Sequence, residues 1–432
     1  MAAPMKAVGL DFGTTNSAIA IATPDGSQLT TFQGDERRTT TFRSVLYFDP
    51  EHFEPTGRPC AVAGPEAIQS YLQVGTRGRL VQSLKSYLGS PLFKHTNIFN
   101  STFTLEDLIA IIIRQLKAAA EAQFGDIGTR VVVGRPAHFS GAEDEEGDAF
   151  ALHRLQAAIE RAGFEHIEFT LEPVAAAYQY EQQLDHDELV LIGDFGGGTS
   201  DFCLVQLGPA ARKRGKRYDD ILGTDGVAIA GDTFDSRFVR HLIAPQLGLG
   251  SQYRSLFDRV LPVPLWIYEQ FERWHSLSFL KTPKTMETLR QIRFQALEPA
   301  KIDALMHVVE DDLGYQLFQA VEHSKCALSE QATNTFVFNE PPVKISAEVQ
   351  RAAFEEWIQH DTEAIAQCVD RLLSRCGIAP NDVDSVFLTG GSSFVPAVRH
   401  IFAQRFGADR LRGGEELTTV ARGLALRALE ER

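Results

Sequence analysis

The stretch LDFGTTNSAIAIA, Leu10–Ala22, returns in altered form as GDFGGGTSDFCLV, Gly193–Val205. Each copy runs an apolar strand into an Asp and an aromatic, bends through Gly and Thr, and leaves on a second apolar strand. A tight bend needs only the glycine. The extra carboxylates and hydroxyls therefore point to a ligand at the bends. Consecutive N–H groups of a glycine-rich turn form a concave seat for an anion, and hydroxyls add donors. Gly13, Thr14 and Thr15 offer such a seat in the first copy, and Gly196, Gly197, Gly198 and Thr199 in the second. Asp11 and Asp194 would repel a polyphosphate unless a divalent cation lay between them, and magnesium suits carboxylates, waters and phosphate oxygens. A single turn of this kind is a weak signal. Two copies, with matching aspartates in opposite halves of the chain, imply a duplicated plan: two similar lobes facing one ligand across a cleft.

The length fits that plan, because 432 residues exceed what one core usually supports. With 44% hydrophobic and 23% charged residues the composition is that of an ordinary globular protein. A net charge of −15 argues against nucleic acid as a partner, since its phosphates are met by Lys and Arg. No apolar run approaches the ~20 residues of a membrane helix, so no membrane association is expected. The N-terminal MAAPMKAVGLDFG is broken by Asp11 and does not read as a signal peptide. Five scattered cysteines without a CxxC fit thiols in a reducing compartment. A cytoplasmic, monomeric protein is expected.

β-like runs recur at 7–10, 18–22, 44–48, 131–134, 189–194, 200–207 and 385–389. Helical patterns lie between them at 105–124, 149–163, 173–184, 347–377 and 395–406, and Thr104 with Asp107 makes an N-cap for the first. This alternation indicates an α/β protein with mixed sheets. The basic block RKRGKR, 212–217, reads as a solvated hairpin tip. The segment 251–313 is helix-like and rich in aromatics, including Phe257, Trp266, Tyr268, Phe271, Trp274 and Phe279. Such a stripe is more often core than contact surface.

Three further sites join the two bends. LTGGSSFVPAVRH, Leu388–His400, turns from strand to helix through Gly390 and Gly391, where a flat ring or ribose can lie on bare backbone. In TLEPVAAAYQY, Glu172 and Pro173 stand at a helix start, which by itself is a plain cap favoured by the helix dipole. The small Ala175–Ala177 face lets that helix pack closely, with Glu172 aimed at the waters of a metal. Lys85, in RLVQSLKSYLG, reads by pattern alone as a surface lysine.

Taken together, the segments GLDFGTTNS, RLVQSLKSYLG, VVVGRPAHF, LEPVAAAY, IGDFGGGTSDF, IAGDTFDSRF, VEHSKCALS and FLTGGSSFVP resemble the nucleotide-binding domain of DnaK-type heat-shock chaperones, and most nearly a stand-alone, YegD-like branch. They occur in that family's order and span nearly the whole chain. The resemblance implies the two-lobed actin-like ATPase fold, built from duplicated ribonuclease-H-like domains around a central nucleotide cleft. It places lobe I at 1–188, with 413–432 packing back on it and a subdomain inserted at about 40–124. Lobe II falls at 189–412, with a subdomain at about 232–345 that carries an extra helical insertion at about 251–313. Nothing in the sequence resembles a peptide-binding domain.

The same resemblance assigns roles. Asp11 and Asp194 hold magnesium through water, and Glu172 orders metal-bound water. Lys85 orients the attacking water and stabilises charge on the γ-phosphate. Thr14, Thr15, Asn16 and the Gly196–Thr199 turn cradle the phosphates, with Asp201 supporting the second loop. Gly231, Asp232, Glu322, Lys325, Ser329, Gly390, Gly391, Ser392 and Phe394 line the adenosine. The implied ligands are ATP or ADP with magnesium.

Departures from the family stand at four places. Its adenine clamp of two arginines becomes Cys326 and Phe394. An adenosine-site Asp becomes Leu417, and an arginine tied to interdomain communication becomes Asp144 in EDEEGD. The reading that fits best is a magnesium-dependent ATP-binding protein with slow hydrolysis driving lobe closure, signalling to a protein partner through the 251–313 insertion. The alternatives are a nucleotide-sensing module with little turnover and an actin-like filament protein. A small-molecule kinase fits less well, since no carboxylate stands out as a base for a substrate hydroxyl.

Overall fold

In NSAIAIAT, Ile19 and Ile21 face one side of a strand while Ala18, Ala20 and Ala22 face the other. This period-2 alternation of large and small residues decides how the strand is covered. The computed structural model describes residues 6–34, 38–74, 78–214, 217–255, 258–273, 277–413 and 418–430. Strands β1 (Ala7–Phe12) and β2 (Asn16–Thr23) form an antiparallel hairpin with Asp11 opposite Ala18. Strand β3 (Gly26–Leu29) pairs antiparallel with β2. On the other side β4 (Arg130–Arg135) runs parallel to β1, and β5 (His166–Leu171) parallel to β4.

A second sheet repeats the plan with β6 (Glu188–Phe195), β7 (Ser200–Leu207), β8 (Ile221–Val227), β9 (Ser385–Thr389) and β10 (Leu411–Gly413). The main path of the first sheet is β3-β2-β1-β4-β5, and the order in the second is β8-β7-β6-β9-β10. In both, the central strand is antiparallel to the next in sequence and parallel to its other neighbour. The repeated motif in the sequence is thus a repeated topology.

Helix α1 (Leu105–Phe124) begins in a reciprocal cap: the Thr104 hydroxyl accepts from Asp107 N, and the Asp107 carboxylate accepts from Thr104 N. With α2 (Glu145–Arg161) it covers the large-residue face of the first sheet, burying Leu10, Phe12 and Ile19 against Leu108, Ile112 and Leu155. Each such side chain contributes roughly 1.5–3 kcal/mol when fully buried. Helices α3 (Glu172–Glu181) and α4 (Thr419–Glu430) lie on the small-residue face. Their core joins Ala18 and Ala20 of the first sheet with Val190, Ile192 and Cys203 of the second, so one helical layer serves both sheets. Small residues are required here. A Cβ on Gly9 would lie 2.3 Å from Ala425 N, and one on Gly423 would lie 1.7 Å from Ala175 O.

The chain divides into two compact units. The first comprises Met1–Gly231, Ala364–Ser393 and Val398–Arg432 and carries both sheets. The second comprises Asp232–Glu363 and Phe394–Ala397, and contains the helix Gly314–Glu330 and the hairpin Thr333–Glu340/Val343–Gln350. Among the described residues no helix is long and apolar enough to cross a membrane.

Two expectations are corrected. The helix expected over 347–377 is a strand as far as Gln350, followed by helices Arg351–Trp357 and Gln359–Cys376. Val343, Ile345 and Val349 are buried at alternate positions, a strand period masked in the sequence by the helix formers Ala347 and Glu348. Nor is the start of RKRGKR a solvated tip. Arg212 lies in the short helix Pro209–Arg214, and its Nη2 donates to the carbonyls of Glu181 at 3.0 Å and Leu184 at 2.8 Å. Residues 215–216 lie outside the described residues. In the aromatic segment Tyr268 and Phe271 are core, whereas Trp266 is exposed. Phe257, Trp274 and the side chain of Phe279 fall outside what is described.

Candidate functional site

The two hairpin bends meet in the first unit. Gly13 N donates to Ser17 Oγ at 3.3 Å, Ser17 Oγ lies 2.8 Å from Ser44 Oγ, and Ser44 N donates to Thr15 O at 2.9 Å. The first loop is thus pinned from beneath, with Asn16 opening β2 behind it. A Cβ on Gly13 would stand 2.0 Å from Asn16 O, so only glycine fits. In the second loop Gly196 N donates to Thr199 O at 3.0 Å. A Cβ on Gly198 would lie only 3.4 Å from Thr14 Oγ1, which measures how closely the loops face each other.

The third glycine turn rests on the second. Gly390 has φ +83°, and a Cβ there would lie 2.1 Å from Phe195 O. Ser392 Oγ donates to Gly196 O at 3.4 Å, within the 3-10 turn Gly391–Phe394. Gly231 N also points at Gly196 O, at 3.5 Å. Strand pairing sets Asp194 opposite Asp201 and beside Thr389.

Lys85 is not a surface lysine. It is buried in the 3-10 turn Leu84–Tyr87, and its Nζ donates to Glu172 Oε1 at 2.6 Å. Glu172 is the first residue of α3, placed there by the parallel strand β5 and followed by Pro173. Burial alone would lower the ammonium pKa, but the Glu172 and Asp11 carboxylates outweigh it and hold the group above its ordinary value. Asp11 is pushed up to about 7 by desolvation and by Glu172, with Lys85 opposing. Burial and the neighbouring carboxylates Glu172, Asp11 and Asp201 raise Asp194 as well. Asp201 is fully buried, accepts from Ala137 N at 2.6 Å, and is raised to about 7 by burial and by Glu172.

Four carboxylates therefore share one ammonium. This excess of negative charge fits a divalent cation. Among the described residues no three His, Cys, Asp or Glu side chains converge as direct metal ligands.

The shifts have a measurable consequence. Asp11 and Asp201 bind their protons more tightly folded than unfolded, where the ordinary value is 3.8. As pH rises the unfolded chain releases these protons first, so ligand-free stability falls between 3.8 and about 7 and levels off above that. Thermal melts of ligand-free protein should show a higher Tm at pH 6 than at pH 8, and Asp201→Asn should narrow the gap. An unchanged gap would show that Asp201 is not held protonated.

The remaining expected site residues belong to the second unit. Lys325 Nζ pairs with Asp235 Oδ1 at 2.7 Å, and Ser329 Oγ donates back to Lys325 O at 3.1 Å on the same helix. Asp232 is raised to about 7 by burial and the nearby Asp235 and Glu322. Cys326 and Phe394 are exposed, and Leu417 lies outside the described residues. Two supports of the first unit gave no sequence signal of their own: the Ser17–Ser44 pair and Ala137 N. A hydrogen-bonded loop support looks like any other serine.

The family model described as Hsp70 protein matches residues 7–246 and 297–429. The chaperone protein DnaK of Thermosipho africanus (strain TCF52B) is 27% identical over 423 residues, covering 98% of this chain and 58% of that protein. The chain thus spans less than two thirds of that relative's length. With its doubled sheet topology, its facing glycine loops and this match over most of its length, the chain belongs to the Hsp70 family and has that family's two-lobed actin-like ATPase fold.

Proposed function

We propose that this chain is a magnesium-dependent ATP-binding protein that hydrolyses ATP slowly and acts as a nucleotide-controlled switch of the chaperone class. The observation that carries the reading is the buried Lys85–Glu172 pair set among Asp11, Asp194 and Asp201, where the two glycine loops face each other. Bound magnesium would neutralise charge on the phosphates, held through water by Asp11, Asp194 and Glu172. The loops Gly13–Asn16 and Gly196–Thr199 supply N–H and hydroxyl donors to the phosphates. Lys85 positions the attacking water and stabilises charge that grows on the γ-phosphate, which is most of what phosphoryl transfer asks of a protein. Binding one polyphosphate to both loops favours a closed arrangement of the lobes, and hydrolysis releases it.

A second reading, a sensor with little turnover, follows from the resemblance, which puts Cys326 and Phe394 in place of the family's adenine-clamping arginines; in support, Phe394 is 47% exposed. Signalling to a protein partner is assigned to the 251–313 insertion, which overlaps the stretch the family model leaves unmatched, 247–296. Calorimetric titration with ATP tests the site. Binding should be strong with magnesium and lost with EDTA, and Asp11→Asn and Asp194→Asn should each weaken it by at least about tenfold, on the order of one charge-assisted contact. Equal affinity with and without magnesium would contradict the metal assignment.

A further inference from the structure

Lys85 sits in a segment with little means of holding itself in place. Its 3-10 turn is four residues long, and such turns make poor hydrogen bonds of their own. The preceding Ser83 is at φ +54°, an unfavourable conformation for a residue with a side chain, and its hydroxyl does not cap the turn. The segment continues to Phe93 without regular structure; its local bonds run from Ser86 N to Ser83 O, Leu88 N to Lys85 O and Ser90 N to Tyr87 O, and further bonds come from elsewhere.

One side chain supplies three of them. Arg154, on α2 and only 6% exposed, donates from Nη1 to Tyr87 O and to Ser90 O, each at 3.2 Å, and from Nη2 to Phe93 O at 2.9 Å. Its Nε donates to Glu106 Oε1 at 2.5 Å, so the buried charge is balanced by the first turn of α1. A planar guanidinium can bridge several carbonyls in fixed geometry, which a lysine ammonium cannot. The opposite side of the segment is equally constrained: a Cβ on Gly89 would lie 2.6 Å from Ala142 N.

We propose that Arg154 is a positioning residue for ATP hydrolysis, clamping the Tyr87–Phe93 segment so that Lys85 is held on Glu172 and directed at the phosphate site. This rests on the role given to Lys85 above. The hydrogen bonds of Arg154 go to Glu106, Tyr87, Ser90 and Phe93, so its effect is expected on rate and not on binding.

The test compares Arg154→Lys, Lys85→Ala and the double variant in single-turnover hydrolysis and MgATP titration. Arg154→Lys keeps the charge opposite Glu106 and loses the bridging geometry. It should slow hydrolysis by about tenfold or more, as small misplacements of catalytic groups do, and leave MgATP affinity within about threefold. In the Lys85→Ala background it should slow the residual rate no further, because a residue acting only through Lys85 has nothing left to position. A merely structural role would lower affinity as well and would add to the Lys85→Ala loss. Should Arg154→Lys not fold, Gly89→Ala displaces the same segment from the other side and should give the same pattern. Wild-type hydrolysis in Arg154→Lys beside an inactive Lys85→Ala overturns this proposal alone. Wild-type hydrolysis in Lys85→Ala overturns the reading of Lys85, and this proposal with it.

Discussion

Lys85→Ala should bind MgATP with an affinity close to wild type and hydrolyse it at least ~100-fold more slowly, the usual cost of removing one donor that stabilises developing charge. The physical ground is the pairing of Lys85 with Glu172 at 2.6 Å in a buried site that also holds Asp11, Asp194 and Asp201. In the proposed mechanism this ammonium, kept charged by its neighbours, acts on the γ-phosphate, while the two glycine loops carry most of the binding. Removing it leaves four carboxylates without a cation of the protein's own. The variant should therefore also depend more steeply on magnesium. Wild-type rates in Lys85→Ala would show that this ion pair is structural.

Gly423→Val should be the most damaging single substitution for stability. A Cβ at this position would stand 1.7 Å from Ala175 O, which is backbone of α3 and cannot swing aside as a side chain can. Helix α4 would have to lift off both α3 and β1, opening the core that joins the two sheets. Overpacking of this kind costs typically 1–3 kcal/mol and more where the neighbour is rigid, so a loss of about 3 kcal/mol or more is expected, read as a lowered denaturant midpoint. Gly423→Ala should already show most of it. A midpoint unchanged in Gly423→Ala would mean that α4 does not pack on α3 at this distance.

Much of the fold could be read from the chain. Repetition of an Asp at the end of a buried strand, followed by a Gly-Thr bend, announced two equivalent hairpins, and the sheets do share one strand order. The N-cap at Thr104 and the helix start at Glu172 were equally legible, because capping depends on adjacent residues. What escaped was set by contacts distant in sequence. Nothing local distinguishes Lys85 from a surface lysine, and Arg154 looks like one more charge on an amphipathic helix. Its partners come from Tyr87, Ser90, Phe93 and Glu106, brought close only by the fold. The strand ending at Gln350 was hidden differently, by residues whose helix propensity opposes the pattern of burial.

The measurement that bears most directly on the proposed switch is the release of phosphate from γ-labelled ATP by the wild-type protein, in a single turnover with magnesium, with retained nucleotide counted in the same sample. The account predicts that ATP is retained and cleaved slowly. Retention without cleavage would contradict the catalytic role of Lys85 and Glu172 and leave a sensor. Failure to retain ATP at all would contradict the nucleotide assignment itself.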